Sequence, residues 1–461
     1  MTRKATGDIA AGRLPPQRIA ENFADKHPRL ERQAALVAAA RCLYCYDAPC
    51  IQACPTGIDI PSFIKRITTD NLRGAATDIL DANIFGGTCA RVCPTEILCE
   101  GSCVRNHDDG RAVEIGALQR YATDWVFEQD VKLFERAPES GRHIAVVGAG
   151  PAGLACAHAL ARAGHRVTVY DEKPKPGGLN EYGIAEYKML EFAQREIAWL
   201  MSIGGIEIVP GKALGRELSL AKLREGFDAV FLGMGLAGVN ALGLEGERMP
   251  GVHDAVEFIA ALRQSDDFAT LPVGRRVVVI GGGNTAVDAA VQSKKLGAEV
   301  VSMVYRRGPD SMSATHVEQA YAKSQGVHVI HWAAPRRLVA TSGVVAAVEF
   351  EHTRLGANGK LEGSGEYFML DADIVLKAIG QLFVPAALDG GAASLALANG
   401  RIAVDASFAT SLPGVYAGGD CVAEGIDLTV QAVEHGKRAA RAIDRMLMSS
   451  TTKPHRAGVP A

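Results

Sequence analysis

The chain has 461 residues, of which 48% are hydrophobic and 22% charged, and its formal net charge is −3. This length predicts about three domains of ordinary size. The near-neutral charge leaves no basic stripe for nucleic acid or an anionic membrane, and no apolar run is long enough to span a bilayer. Residues 1–20 lack the apolar core of a secretory signal. We therefore expect a cytoplasmic protein with no nucleic-acid partner and no membrane segment.

The segments around the cysteines are helical in pattern. Residues 1–20 are polar and predict either a tail or an arm that reaches onto another surface. Helices are predicted over residues 21–41, where Val37 belongs to the apolar face, over residues 61–80 and over residues 115–128. Helices can bury metal ligands in apolar side chains and exclude water from them.

Eight of the ten cysteines lie between residues 42 and 103, in two blocks of four. The first block is spaced Cys-x2-Cys-x4-Cys-x3-Cys-Pro and the second Cys-x3-Cys-Pro-x5-Cys-x3-Cys. A Cys-Pro that closes such a run is typical of ferredoxin-like iron–sulfur segments. Zinc requires two close ligand pairs per site, which the x3 and x5 spacings fit poorly, and disulfides are disfavoured in a reducing compartment. The spacing favours iron–sulfur clusters over both alternatives.

A nucleotide-binding pattern starts at His143, where HIAVVGAGPAGLACAHALARAGHRVTVYDE predicts a strand, a glycine turn, a helix and a second strand. Gly148, Gly150 and Gly153 have the spacing that brings a pyrophosphate to a helix N-terminus. Asp171 follows Gly148 by 23 residues, where a carboxylate can accept the ribose hydroxyls.

A second pattern of this kind starts at Arg275, with the sequence RRVVVIGGGNTAVDAAVQSKKLGAEVVSMVYRR. Two such units in one chain predict two bound dinucleotides. The candidate contacts of the second are Gly281, Gly283, Asn284, Thr285 and Ala286.

Two further stretches resemble flavoproteins with two dinucleotide-binding domains. They are KPKPGGL, which ends in Gly178 and Leu179, and AGGD, which ends in Gly419 and Asp420. The resemblance implies FAD on the first unit and a nicotinamide nucleotide on the second. Asp420 would then bind the ribityl chain, and a helix from Thr429 would direct its N-terminal amides at the flavin ring.

The flavin motifs flank the nicotinamide unit, so we expect the second domain to be inserted in the first. The crossovers would lie near Gly233 and near Gly380, and Gly380 is a further candidate for cofactor contact.

The cysteine blocks carry a more specific resemblance. CLYCYDAPCIQACPTGIDIPSFI and GGTCARVCPTEILCEGSC resemble the N-terminal domain of dihydropyrimidine dehydrogenase and, less closely, the small subunit of glutamate synthase. The resemblance implies two [4Fe–4S] clusters. It assigns Cys42, Cys45, Cys50 and Cys103 to the first, and Cys54, Cys93, Cys99 and the amide of Gln119 to the second. Cys89 is left as a small buried apolar residue.

These patterns predict an α-helical iron–sulfur domain followed by an α/β flavoprotein with two dinucleotide-binding domains, nested and Rossmann-like. The predicted boundaries are residues 1–138 for the bis-[4Fe–4S] domain, 139–251 and 381–461 for a discontinuous FAD domain, and 252–380 for the inserted NAD(P) domain.

The resemblance also implies a function, that of an NAD(P)H-oxidising electron-input subunit in a hetero-oligomer. Its partner would be an FMN and iron–sulfur subunit that reduces uracil and thymine. Lys188 in EYKML matches a basic residue that the family places near the flavin. Three alternatives remain: a glutamate synthase small subunit, a subunit of a bifurcating NADH/NADPH:ferredoxin transhydrogenase, and a redox sensor.

The identity of the nicotinamide nucleotide stays open at this point. No carboxylate follows the second strand of the inserted unit, and Arg306 and Arg307 there suit a 2′-phosphate. A further arginine that the family can carry would fall at Ser313, which has no charge. Short chains of this shape resemble the NADH-dependent form, so we expect NADH, with NADPH possible. Cys156 and Cys421 are isolated, and we expect both to be packing residues.

Overall fold

The computed structural model describes residues 8–189, 191–385 and 395–449. The helices are α1 (Pro16–Asn22), α2 (Arg32–Ala39), α3 (Pro49–Gln52), α4 (Ile60–Thr68), α5 (Leu72–Ala82), α6 (Gly86–Val92), α7 (Ile115–Glu128), α8 (Pro151–Arg162), α9 (Leu179–Tyr182), α10 (Glu186–Met189), α11 (Phe192–Met201), α12 (Leu220–Gly226), α13 (Ala255–Arg263), α14 (Asn284–Lys295), α15 (His316–Ser324) and α16 (Thr429–Ser449).

The strands are β1 (Ile9–Ala10), β2 (His143–Val147), β3 (Arg166–Asp171), β4 (Ile206–Pro210), β5 (Ala229–Leu232), β6 (Gly238–Val239), β7 (Val252–Asp254), β8 (Val273–Gly274), β9 (Arg276–Ile280), β10 (Val300–Tyr305), β11 (Val327–His331), β12 (Ala333–Thr341), β13 (Val344–Leu355), β14 (Leu361–Asp371), β15 (Ile374–Lys377), β16 (Gln381–Leu382), β17 (Leu397–Ala398), β18 (Arg401–Ile402) and β19 (Val415–Ala417).

The chain forms two compact units. One, called the inserted unit below, comprises Met1–Lys26, Tyr182–Lys188 and Gly238–Leu382. The other, called the main unit, comprises His27–Glu181, Met189–Ala237 and Phe383–Ala461.

The main unit contains a five-stranded sheet of order β19-β5-β2-β3-β4, in which every pair is parallel. Its central strand β2 pairs Val146 with Val169 on one side and with Phe231 on the other. All three side chains are fully buried. A parallel strand covered on both faces requires such a continuous apolar run. The glycine turn after β2 lies at the carboxyl edge of this sheet.

The cysteine-rich part of the main unit is built from α2 to α7. Asp59 caps α4 by accepting a hydrogen bond from the Ser62 amide at 3.1 Å, and Asn71 caps α5 through the Gly74 amide at 2.9 Å. Phe63 and Ile64 of α4 are fully buried. The helix predicted over residues 115–128 is present as α7.

The prediction of a single helix is wrong for two other segments, because each contains parts of two helices in the structure. Residues 21–41 contain the end of α1 and the whole of α2, since Pro28 disfavours a helical conformation at the preceding residue. Val37 is 59% exposed, and Ala35, Ala38 and Ala39 are buried in its place. Residues 61–80 divide into α4 and α5 at Asp70, whose φ of +59° ends the first helix.

The inserted unit has a parallel sheet of order β11-β10-β9-β15-β7 and an antiparallel meander of order β12-β13-β14. The N-terminal arm belongs to this unit. Its β1 pairs with β8, and Ile19 and Phe23 are buried in the apolar core beside α14.

The domains predicted from sequence differ from the observed units. The structure has two units rather than three domains, because the cysteine-rich segment and the predicted FAD segments share the main unit, and Tyr182–Lys188 belongs to the inserted unit. Two further boundaries also differ. The predicted domain 1–138 includes residues 1–26, which the structure groups with the inserted unit because Ile19 and Phe23 join its core. The inserted segment runs over Gly238–Leu382 rather than 252–380, because β6 and β16 pair as antiparallel crossover strands. Within the described ranges, no helix combines the length and apolarity needed to cross a membrane.

Candidate functional site

The cysteines assigned to the first cluster surround one cavity. Cys42, Cys45, Cys50 and Cys103 all line it, together with the apolar side chains of Leu43, Pro49, Ile60, Ile64, Val104, Val113 and Ile115. The cavity holds about 380 Å³ of empty space, its open mouth included. The structure thus brings together four thiols that are separated by up to 61 positions in sequence.

A second cavity collects the other predicted ligands. Cys54, Cys93, Cys99 and Gln119 line it, along with Cys89, Asn83 and Val430. It holds about 370 Å³, again with its mouth included. Cys89 is only 3% exposed, as expected for a packing residue, but it also forms part of the cavity wall.

The environment of these thiols fits a polynuclear iron site. Burial, together with the neighbouring Cys42 and Cys103, raises the pKa of Cys50 to about 11. A hydrogen bond with Cys89, followed by burial, raises the pKa of Cys93. Thiols in such surroundings become thiolates when a cation is bound to them.

No group of three or more His, Cys, Asp or Glu side chains in the described residues is arranged to hold a single metal ion. The ligands of a four-iron cluster each bind a different iron atom, so they stand around a wider space. The two cysteine-lined cavities match the second arrangement.

The amide of Gln119 is oriented by its surroundings. Its Nε2 donates to the Gly86 carbonyl oxygen at 2.7 Å, and the side chain is 6% exposed. Because a carbonyl oxygen only accepts, this contact identifies the nitrogen and leaves Oε1 as the second polar atom of the amide. A side-chain amide binds a metal through its oxygen rather than its nitrogen, so this orientation of Gln119 is compatible with the ligand role that the resemblance implies.

The glycine turn after β2 is closely packed. Gly148 has a φ of +100°, and a side chain there would collide with the Gly233 carbonyl oxygen. Gly150 is the N-cap of α8, and a Cβ atom on it would lie 3.8 Å from Cα of Gly178. Gly153 would collide with the Gly148 carbonyl oxygen if it carried a side chain. The turn, the GGL stretch and the start of α8 therefore form one closely packed cradle of backbone, which suits a pyrophosphate.

Asp171 lies at the end of β3 in the same region. Its Oδ2 accepts from the Ala149 amide at 2.6 Å and its Oδ1 from the Lys173 amide at 2.7 Å. Burial raises its pKa. Each carboxylate oxygen has a second lone pair, so the two amides fix the direction of the carboxylate and still permit contact with a ribose.

Asp420 and the start of α16 occupy the other side of this cradle. Burial raises the pKa of Asp420 to about 6. Thr429 donates from Oγ1 to Oδ1 of Asn180 at 2.9 Å. Asn180 is 1% exposed, and its Nδ2 finds no partner in the described part of the chain. A buried donor without a partner is costly unless a ligand satisfies it. Leu179 next to it is 43% exposed. Sequence reasoning missed Asn180.

In the inserted unit, the predicted nicotinamide motif leads from β9 into α14. Gly283 is the N-cap of this helix, and a Cβ atom on it would lie 3.0 Å from Oγ of Ser313. Asn284 and Thr285 form the first turn, and Ala286 is fully buried. A side chain on Gly281 would collide with the Ala378 carbonyl oxygen. Gly380, with a φ of +97°, accepts a backbone hydrogen bond from Asn240 and belongs to the crossover segment.

Arg306 and Arg307 follow β10, the strand adjacent to β9, and both are exposed. Their backbone carbonyls accept hydrogen bonds from Thr353 Oγ1 and from the Trp332 amide. The two guanidinium groups therefore extend from an anchored backbone at the edge of the sheet where the nucleotide motif lies.

Lys188 has an environment that the sequence did not indicate. It lies in the inserted unit, where its ammonium contacts Asp288 at 2.8 Å and Glu318 at 3.1 Å. Burial lowers its pKa, but the two carboxylates outweigh that effect and raise it above the ordinary value. The described contacts give Lys188 a structural role as the anchor of the segment Tyr182–Lys188, and its predicted place near a flavin stays a prediction.

The fold and the site together define a class, that of flavoprotein oxidoreductases with two dinucleotide-binding units, here with an iron–sulfur domain. Two family profiles match the chain. Residues 19–131 match dihydropyrimidine dehydrogenase domain II, 4Fe-4S cluster, and residues 142–436 match pyridine nucleotide-disulphide oxidoreductase.

The subunit PreT of NAD-dependent dihydropyrimidine dehydrogenase from Salmonella typhimurium is 35% identical over 93% of this chain and 98% of its own length. The glutamate synthase [NADPH] small chain of Halomonas elongata is 33% identical over 94% of this chain and 96% of its own length. The chain belongs to the pyridine nucleotide-disulphide oxidoreductase family, in the group that contains these two proteins. It is an electron-transfer oxidoreductase subunit that uses a pyridine nucleotide.

Solved structures agree with the fold. Mycobacterium tuberculosis FprA in complex with NADPH has a TM-score of 0.56 at 19% identity and covers 68% of this chain and 85% of its own. Thioredoxin reductase from T. acidophilum has a TM-score of 0.53 at 21% identity, over 67% of this chain and all of its own. At this identity the likeness supports the fold alone.

Proposed function

We propose that this chain oxidises NADH, with NADPH possible, and passes the electrons through FAD and two [4Fe–4S] clusters to a partner subunit that reduces uracil and thymine to 5,6-dihydropyrimidines. The relatives named as PreT subunits of NAD-dependent dihydropyrimidine dehydrogenase, which this chain matches over almost their whole length, support a dihydropyrimidine dehydrogenase and a partner subunit. The proposal places the complex in the cytoplasm and gives the partner FMN and iron–sulfur clusters.

In this proposal the helical segment that ends near residue 138 binds both clusters. Cys42, Cys45, Cys50 and Cys103 hold one, as their shared cavity supports. Cys54, Cys93, Cys99 and Oε1 of Gln119 hold the other.

The discontinuous FAD domain uses the cradle of Gly148, Gly150, Gly153, Gly178 and Gly419, with Asp171 on the ribose and Asp420 on the ribityl chain. The inserted domain takes the nicotinamide nucleotide at Gly281, Gly283 and the first turn of α14. When bound, the cofactors supply hydride acceptance and one-electron transfer. The residues described above bind and orient them, and no side chain is required as an acid or a base.

The observation that carries the proposal is the position of α16. Thr429, its first residue, bonds Asn180 beside the flavin cradle, while Val430, its second, lines the second cysteine cavity. One helix end therefore borders both sites. This adjacency supports an electron path from the dinucleotide site into the second cluster rather than two unrelated sites.

The test compares the isolated chain with the reconstituted complex. The purified chain should oxidise NADH with an artificial acceptor and leave uracil unchanged. Addition of an FMN-containing partner subunit should give NADH-dependent reduction of uracil and thymine. Cys54→Ala should abolish that coupled reaction while much of the dye reduction remains, because a dye can take electrons from the flavin directly.

A second candidate function is the input subunit of a glutamate synthase, which the 33% identity to a glutamate synthase small chain favours. The cysteine block that starts at Cys89 favours the first candidate, because its spacing has the dihydropyrimidine dehydrogenase form. Activation only by a glutamate synthase large subunit, with none by the pyrimidine-reducing partner, would replace the first candidate by the second.

A further inference from the structure

Asn83 is a buried polar residue on the wall of the second cavity to which no role has been assigned. It lies between α5 and α6, is fully buried, and lines the cavity next to the cysteines. Its Oδ1 accepts a hydrogen bond from the Phe85 amide at 3.1 Å. Its Nδ2 has no hydrogen-bond partner among the residues that the structure describes.

The contact with Phe85 determines which end of the amide is free. A backbone N–H only donates, so the atom facing it is the oxygen and the unsatisfied atom is the NH₂ group. Burial of such a donor without a partner costs about 1–3 kcal/mol. An Asn at a fully buried position beside a cavity is therefore expected to meet an acceptor in that cavity.

Gln119 provides the complementary case in the same cavity. Its nitrogen is bound to the Gly86 carbonyl, which leaves its oxygen, whereas Asn83 has its oxygen bound and its nitrogen left. A [4Fe–4S] cluster presents both kinds of partner, since its irons take oxygen donors and its sulfurs accept hydrogen bonds. The oxygen of Gln119 suits an iron atom, and the NH₂ group of Asn83 suits a sulfur atom.

The connector that carries Asn83 is held at both ends by charged side chains from the flavin-binding part of the same unit. Lys437 of α16 donates to the Ala82 carbonyl at 2.7 Å, at the C-terminus of α5. Glu196 of α11 accepts from the amides of Gly87 and Thr88 at the start of α6, at 2.8 and 3.1 Å. These hydrogen bonds hold the backbone at both ends of the connector in place.

We propose that Asn83 donates a hydrogen bond from Nδ2 to a sulfur atom of the cluster in the second cavity and raises the reduction potential of that cluster. A reduced cluster carries more negative charge than an oxidised one, so a donor stabilises the reduced form. Val430 lines the same cavity. This cluster would therefore lie against the start of α16, and the hydrogen bond would favour electron transfer into it. The inference rests on the proposed assignment of a cluster to this cavity.

The test is a redox titration of the anaerobically purified full chain, followed by electron paramagnetic resonance. In Asn83→Leu the potential of one cluster should shift to a lower value and that of the other should stay unchanged. Asn71→Ala is the matched control. Asn71 lies at the opposite end of α5, where it caps the helix through the Gly74 amide, so its loss should lower stability and leave both potentials in place.

A measurement on the unsubstituted chain covers the case in which Asn83→Leu fails to fold. With ¹⁵N in the asparagine side-chain amides, pulsed resonance should detect a coupling of one nitrogen to one reduced cluster. Absence of that coupling, unchanged potentials in Asn83→Leu, or an equal shift of both clusters would overturn the inference. Iron content is measured before the titration. A chain that binds iron for only one cluster would refute the proposed function rather than the inference about Asn83.

Discussion

At the scale of single residues, the second cavity contains more candidate ligands than a cluster needs. Cys89 and Gln119 both line it, and only one of them can complete a set with Cys54, Cys93 and Cys99. Cys89 forms a hydrogen bond with the thiol of Cys93, whereas Gln119 donates from Nε2 to the Gly86 carbonyl and keeps its oxygen available. The proposal therefore takes the amide of Gln119, rather than the thiol of Cys89, as the fourth ligand.

The first prediction compares these two side chains. Gln119→Ala should change the spectrum of one cluster and lower the iron content below the about eight atoms expected for two [4Fe–4S] clusters. Cys89→Ala should retain both clusters, because it removes only a packing thiol. Iron analysis and resonance spectra of the two variants test this. Loss of a cluster in Cys89→Ala, with none in Gln119→Ala, would exchange their roles.

Arg306 and Arg307 give a second prediction, on nucleotide choice. Their side chains are exposed at the end of β10, and a bidentate contact with a 2′-phosphate contributes on the order of 1.5–3 kcal/mol. Alanine at either position should therefore lower kcat/KM for NADPH by roughly 10- to 100-fold and change that for NADH little. Steady-state kinetics with an artificial acceptor measure both. Equal losses with the two nucleotides would mean that the arginines contact the shared adenosine.

At the scale of elements, α16 is positioned by its contact with α8. Gly436 lies where the two helices are closest, and a side chain there would collide with the Ala152 carbonyl oxygen in the first turn of α8. The same helix carries Thr429, Val430 and Lys437, so its position relative to the flavin cradle depends on this contact.

The third prediction tests that contact. Gly436→Ala should lower the free energy of unfolding by about 1–3 kcal/mol through overpacking and should also weaken FAD retention. Arg441→Ala, on the exposed side of the same helix, is the control and should do neither. Thermal unfolding and the flavin content after gel filtration distinguish the two. Full flavin content in Gly436→Ala would show that α16 does not position the flavin site.

At the scale of the whole molecule, buried histidines predict sensitivity to acid. Burial lowers the pKa of His143 and of His435 to about 4, and that of His158 to about 3, from an ordinary 6.5. The unfolded chain binds protons near pH 6.5 while the folded chain does not, so stability falls as the pH decreases from about 6.5 towards 4. Glu196 opposes this, because burial raises its pKa to about 7.

The fourth prediction uses His158, which is 4% exposed. In His158→Gln, the loss of this titrating group should reduce the dependence of the unfolding free energy on pH by up to about 1.4 kcal/mol per pH unit between pH 6 and 4. Urea unfolding of the unsubstituted chain and of His158→Gln at several pH values measures the two slopes. Parallel slopes would show that His158 is protonated in the folded chain.

The features that could be predicted from the sequence depend on local spacing. The glycine turns at Gly148 and Gly281 and the strands beside them follow from short-range geometry, because steric limits allow few residues at each position of such a turn. The eight cysteines were recognised by their spacing in two blocks. The helix that carries Gln119 was predicted with its observed ends, since its apolar residues recur with one period.

The packing partners of each segment became known only from the folded structure. Residues 1–26 were assigned to the cysteine-rich domain because they precede it, yet burial of Ile19 and Phe23 groups them with the inserted unit. Asn83 and Asn180 carry no motif, and their unpaired donors are visible only once the chain around them is folded. Burial and hydrogen-bond satisfaction depend on contacts distant in sequence, and no local pattern encodes them.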